Sequence, residues 1–147
     1  MTDLVARARG AVPIEAQRRI RAIAARSGRL TASWRMQPRF LIIGAQRCGT
    51  TSLYTSLTAH PAVLPAVLHK GVHYFDTAYG RGPAWYRAHF PLQLTADRVE
   101  RRTGSAPITG ESSPYYLFHP LAGERIARDL PEVRLPVSYT HLTLPTN

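Results

Sequence analysis

The sequence predicts an α/β fold with a central parallel sheet, on three observations. Phe40-Leu41-Ile42-Ile43 is a continuous apolar run, the pattern of a strand buried on both faces. It passes without a break into a loop bounded by Gly44 and Gly49, and Leu53 and Leu57 follow at helical spacing. Farther along, short apolar runs alternate with helical patterns, as parallel βα units require. The 147 residues fit one domain, long enough to bury a core.

Ile14 to Ser27 reads as a short amphipathic helix, with Ala16, Ile20, Ile23 and Ala24 on one stripe and Arg18, Arg19 and Arg26 turned away. Nine of the eighteen arginines lie within Met1–Arg39, opposed there only by Asp3 and Glu15. Residues 1–35 are therefore read as a basic helical arm, its charge a solvated face or a contact for an anionic lipid or acidic polymer, with no nucleic acid partner expected. Gly28 and Thr31-Ala32-Ser33 suggest a linker. The main domain, 36–135, opens with the Phe40 strand, and the helix after the loop ends near His60-Pro61. Pro61 to Lys70 is a proline-punctuated connection, and Val72-His73-Tyr74-Phe75 reads as a short strand closed by Asp76. A helix is expected around Trp85-Tyr86, and a second strand at Ile108-Thr109 leads into Gly110-Glu111-Ser112-Ser113-Pro114. Leu121 to Leu130 reads as a helix stopped by Pro131.

Composition narrows the class. A single cysteine, Cys48, can form no internal disulfide. No apolar run approaches the roughly 20 residues that span a bilayer, and no secretory signal opens the chain. A cytoplasmic protein is the default expectation. After Val133-Arg134-Leu135 the pattern calls for another buried strand, yet Pro136–Asn147 carries neither charge nor periodicity. That string resembles one reading frame of a transposase adapter used in preparing DNA sequencing libraries. Residues 136–147 are accordingly read as a non-native tail that adds no strand and packs poorly.

The chemistry is carried by the loop. A glycine-bounded turn between strand and helix presents backbone N–H groups and a positive helix end to an anion. Thr50, Thr51 and Ser52 add hydroxyl donors at the helix start, and Arg47 adds a planar cation suited to an oxyanion. Gly44 and Gly49 keep the spacing of the nucleoside-triphosphatase loop, but Thr50 stands where that loop needs lysine. A triphosphate hydrolase is disfavoured.

The stretch Gln46-Arg47-Cys48-Gly49-Thr50-Thr51-Ser52 instead resembles the 5′-phosphosulfate loop of the sulfotransferases, in bacterial members and the heparan sulfate enzymes. The family usually has lysine where Arg47 stands. The resemblance continues in the right order through Gly71-Val72-His73-Tyr74-Phe75-Asp76, Trp85-Tyr86 and Gly110-Glu111-Ser112-Ser113-Pro114-Tyr115-Tyr116, covering the chain from about Phe40 to Leu135. It implies a P-loop-containing nucleoside triphosphate hydrolase-like three-layer fold with a central parallel sheet, cut short on its C-terminal side. It also implies sulfuryl transfer from 3′-phosphoadenosine-5′-phosphosulfate to a hydroxyl or amine of a small-molecule or glycan acceptor, with no metal. Arg47 would balance charge on the leaving phosphate, and Gln46 through Ser52 would hold the 5′-phosphate. Family members hold the donor's 3′-phosphate with an arginine and a serine after the next central strand. The chain leaves the family pattern before that strand, so this polypeptide alone is expected to be inactive.

The general base is open at this stage. In the heparan sulfate branch a glutamate precedes Val-His-Phe-Phe-Asp and serves as base, and here that place is Gly71. His73 is one replacement, histidine being the side chain that titrates nearest neutrality. Glu111, after a strand end where parallel sheets set their sites, is the other. Lys70, the only lysine, can face the sulfonate or an acidic acceptor. Cys48 is read as small-residue packing; His60, His69, His89 and His119 lack metal-ligand spacing. Trp85, Tyr86, Tyr115 and Tyr116 are core or acceptor-pocket aromatics. Two other functions share the loop: a divergent nucleotide kinase, and a non-enzymic phosphate-binding interaction module.

Overall fold

The structure, a computed structural model, describes residues 15, 16, 24 and 28–139. Three strands, β1 (Phe40–Ile42), β2 (Val63–Pro65) and β3 (Ile108–Ser112), form a parallel sheet in the order β1-β3-β2. Phe40 pairs with Gly110 and Ile42 with Ser112 across β1 and β3, while Val63 pairs with Ile108 across β2 and β3. The α/β class with a parallel sheet is as the sequence predicts.

Alternation along β1 sorts the core into two layers. Phe40 and Ile42 face helix α1 (Thr50–Thr58), where Tyr54, Leu53 and Leu57 cover them. Leu41 faces the other way, into a larger cluster with Tyr74, Phe75, Phe90 and Tyr116. Helix α2 (Pro83–Arg87) adds Tyr86 to that cluster, and α4 (Ala122–Asp129) adds Ile126. Helices thus cover both faces of the sheet, which makes three layers. Helix α3 (Gln93–Thr103) was not expected from the sequence; it buries Ala96 and ends at Gly104 in the left-handed region, φ 72°. None of the helices among the described residues is long and apolar enough to cross a membrane.

Of four further expectations, two differ from the structure and two, the first and the last below, are tested only in part. The helix over Ile14–Ser27 lies outside the described residues apart from Glu15, Ala16 and Ala24, which are helical. The linker around Thr31-Ala32-Ser33 is a 3₁₀ helix, Arg29–Trp34, held where Thr31 Oγ1 donates to the Gly28 carbonyl. Val72–Phe75 is no strand: its amides go to side chains rather than to a ladder, and the chain turns at Tyr74–Thr77.

The fourth concerns the expected non-native tail. The chain from Arg134 runs parallel to the free edge of β1, and the tail's first residues continue it beside residues 43–45. Leu41 N–H donates to Arg134 O at 2.9 Å, Ile43 N–H to Pro136 O at 3.2 Å and Ala45 N–H to Ser138 O at 2.8 Å. Edge pairing uses backbone groups alone, so an open edge accepts many sequences. Pro136 is tolerated because only its carbonyl is used. Leu135, Val137 and Tyr139 remain exposed, so the pairing brings little apolar packing. Residues 140–147 lie outside the described ones.

Candidate anion-binding site

Because β1 ends at Ile42 and α1 begins at Thr50, the loop between them sits at the carboxyl edge of the sheet. That edge, beside a point where the strand order reverses, is where parallel α/β sheets bind ligands. β1 lies between β3 on one side and the 134–138 segment on the other. The turn is made by Gly49, left-handed at φ 72°, where a side chain would be strained. Arg47 is also left-handed, at φ 61°. No side chain caps α1, so its first amides have no intrahelical or side-chain acceptor. Gln46, Arg47, Thr51 and Ser52 are exposed, Cys48 is half-buried and Thr50 is buried. Ser138 supports the loop from behind: its Oγ donates to Cys48 O at 2.6 Å and its N–H to Gly44 O at 2.8 Å.

Lys70 comes to this loop from the connection after β2, its Nζ donating to Thr51 Oγ1. The loop thus gains a second cation beside Arg47. Three residues on, His73 is left-handed at φ 54°, with its ring half exposed. Its Nδ1 lies 2.7 Å from Oδ2 of Asp76, whose side chain is fully buried. A carboxylate can only accept, so Nδ1 is a donor here, and in the neutral ring that leaves the lone pair on Nε2. Asp76 is held in turn: Thr77 N–H donates to Oδ1 at 2.6 Å, and Arg125 Nη1 binds the Phe75 and Asp76 carbonyls. Sequence reading missed Asp76 as a site residue; the i,i+3 spacing from His73 was its one signal.

Glu111 stands apart from the loop's opening. It is 0% exposed, and Oε1 accepts from Tyr86 OH at 2.8 Å and Tyr116 OH at 2.9 Å. Oε2 accepts from Val72 N–H and Ser113 Oγ, both at 2.7 Å. Burial pushes its carboxyl pKa up, and these donors oppose that shift. All four of these donors come from the chain itself, and no arginine among the described residues pairs with the carboxyl. Tyr86 and Tyr116 are accordingly core residues with their hydroxyls pinned to this carboxyl, while Tyr115 is exposed. One more side chain escaped notice. Ser112, next along β3, is 1% exposed, and its Oγ is the one buried side-chain polar atom without a partner among the described residues.

No family model matches this chain. It is 36% identical over 100 residues to heparan sulfate glucosamine 3-O-sulfotransferase 6 of Homo sapiens, covering 68% of this chain and 26% of that protein. It is 31% identical over 106 residues to the bifunctional heparan sulfate N-deacetylase/N-sulfotransferase of Drosophila melanogaster, covering 67% of this chain and 10% of that one. A sulfotransferase crystal structure from Alicyclobacillus acidocaldarius matches 69% of this chain and 44% of its own, at 25% identity and a TM-score of 0.48. The chain spans about a quarter or less of the length of these curated relatives. Across the two-thirds of its length that is matched, the chain is similar to sulfotransferases.

Proposed function

We propose that this chain carries the donor-binding part of a sulfotransferase that takes 3′-phosphoadenosine-5′-phosphosulfate and modifies a hydroxyl or amine of a glycan. The observation that carries the reading is the uncapped start of α1 with Arg47 beside it, Lys70 drawn to Thr51, and a His73–Asp76 pair three residues from Lys70. The two heparan sulfate enzymes above, one named for 3-O- and the other for N-sulfation, support both the acceptor class and the choice of hydroxyl or amine.

The residues fit such a donor on chemical grounds. The amides and hydroxyls of Gly49 to Ser52 are donors only partly used within the chain, and a phosphate is an acceptor on every face. When bound, the donor supplies an activated sulfuryl group on a phosphate leaving group. Arg47 is the cation placed to meet charge that develops on that phosphate, which is the larger part of catalysis in transfers of this kind. Lys70, freed from Thr51, offers a second positive charge toward the sulfonate.

His73 is the base in this reading. Asp76 fixes the tautomer, so Nε2 accepts the acceptor's proton as its oxygen or nitrogen bonds to sulfur and the sulfur–oxygen bond to phosphate breaks. Gly71 stands where the heparan sulfate branch has its glutamate. A Cβ there would lie 2.9 Å from Ser112 O, and His73 Nε2 is 3.6 Å from the same point. The backbone is closed to a larger residue, and the imidazole fills the adjoining space. Glu111 serves as a buried anchor and not as a proton acceptor.

The test is transfer of labelled sulfate from the donor to a heparan-type glycan by the complete polypeptide, with ATP as the competing substrate. Sulfate transfer abolished in His73→Ala, and partly restored by free imidazole, is the expected result. Phosphate transfer from ATP would establish the kinase, and binding without either transfer the non-enzymic module.

A further inference from the structure

Three consecutive amides before the Tyr74 turn all end on one carboxyl group. Val72 N–H reaches Glu111 Oε2 directly at 2.7 Å. His73 N–H reaches it through Ser113 Oγ, which accepts at 3.0 Å and donates to Oε2 at 2.7 Å. Tyr74 N–H reaches Oε1 through Tyr116 OH, which accepts at 2.8 Å and donates at 2.9 Å. Ser113 and Glu111 are fully buried, whereas the His73 ring is half exposed. His73 needs this support. Its backbone is left-handed, which a non-glycine residue keeps only where surrounding bonds over-determine it. Asp76 orients the ring but is only three residues away on the same turn, so it cannot set where that turn sits against the sheet. Ser113 can, because it follows β3 directly and its own N–H is fixed to Ile42 O at 3.1 Å.

We propose that Ser113 is a positioning residue for His73: with Glu111 aiming its hydroxyl, it locks the histidine backbone in the left-handed turn and registers the imidazole against the β1 loop. This rests on the reading of His73 as base, and the experiment separates the two. Amide hydrogen exchange is followed in the 147-residue chain. In the wild type, His73 N–H is expected to be protected at least 100-fold over an unstructured chain; an unprotected amide overturns the proposal without any variant. In Ser113→Ala, judged folded by its remaining protected amides, that protection should fall at least tenfold, and Ser113→Thr, which keeps the hydroxyl, should retain it. Unchanged exchange at His73 in folded Ser113→Ala overturns the proposal. In the complete transferase, Ser113→Ala should lower kcat about 10- to 100-fold with the donor KM within twofold, whereas a merely structural loss would raise KM as well. If His73→Ala keeps full turnover, the base reading fails while the exchange results still decide the role of Ser113.

Discussion

At the residue scale, substitutions in the loop separate binding from turnover. Thr51→Ala removes one charge-assisted hydrogen bond, worth about 1.5–3 kcal/mol, and should weaken 3′,5′-bisphosphoadenosine binding about 10- to 100-fold by calorimetry. Arg47→Ala should act mainly on kcat, since its charge matters most as the leaving phosphate develops. Glu111→Ala should act on stability. It would leave the Val72 amide and the Ser113, Tyr86 and Tyr116 hydroxyls without their buried acceptor, a loss of about 3–5 kcal/mol in denaturant unfolding. The loop proposed to hold phosphate was legible as a strand, loop and helix start because these are contiguous and their spacing is itself the geometry. Glu111 was legible as important but not in its role, because the hydroxyls that occupy it come from α2 and from residues after β3. Asp76 was overlooked because an i,i+3 carboxylate matters only once Val72–Phe75 turns instead of extending.

At the scale of elements, the connection after β2 is packed through a buried histidine. Val67 N–H donates to His89 O at 2.8 Å, and the His69 ring meets the His89 ring edge-on at 5.3 Å. His89 Nδ1–H donates to Trp85 O at 2.9 Å. Burial, with His69 and Arg35 adding to it, pushes the His89 pKa down to about 4. An unfolded histidine takes up its proton near pH 6.5. Between those values the unfolded chain binds more protons than the folded one, so stability falls as pH drops from about 6.5 to about 4 and is complete above that window. Roughly 3 kcal/mol is expected over the window, read from denaturant midpoints, and His89→Gln should flatten that slope. The β1 loop, α1, α2 and α4 were legible from apolar spacing and proline stops. Helix α3 was not, since Gln93–Thr103 is mostly charged and polar and buries only Ala96, so its face carries almost no apolar period.

At the scale of the molecule, the sheet ends on an edge whose pairing owes nothing to side chains. Arg134 aligns with β1, and Pro136 and Ser138 with residues 43–45 just past it, through carbonyls and amides while Leu135, Val137 and Tyr139 stay exposed. That is why a stretch without periodicity still bonds to this edge. The open parallel sheet, with its loop at the carboxyl edge and the 70–76 turn brought beside it, is what the proposed transfer needs from the fold. The measurement that bears most directly on this is transfer of labelled sulfate from 3′-phosphoadenosine-5′-phosphosulfate to a heparan-type glycan by the complete polypeptide, wild type against Arg47→Ala. The account predicts glycan sulfation by the wild type and a kcat at least 100-fold lower in the variant at similar donor affinity, about 2.7 kcal/mol of lost transition-state stabilisation. Wild-type turnover in Arg47→Ala, or label moving from ATP instead of from the sulfate donor, would contradict it.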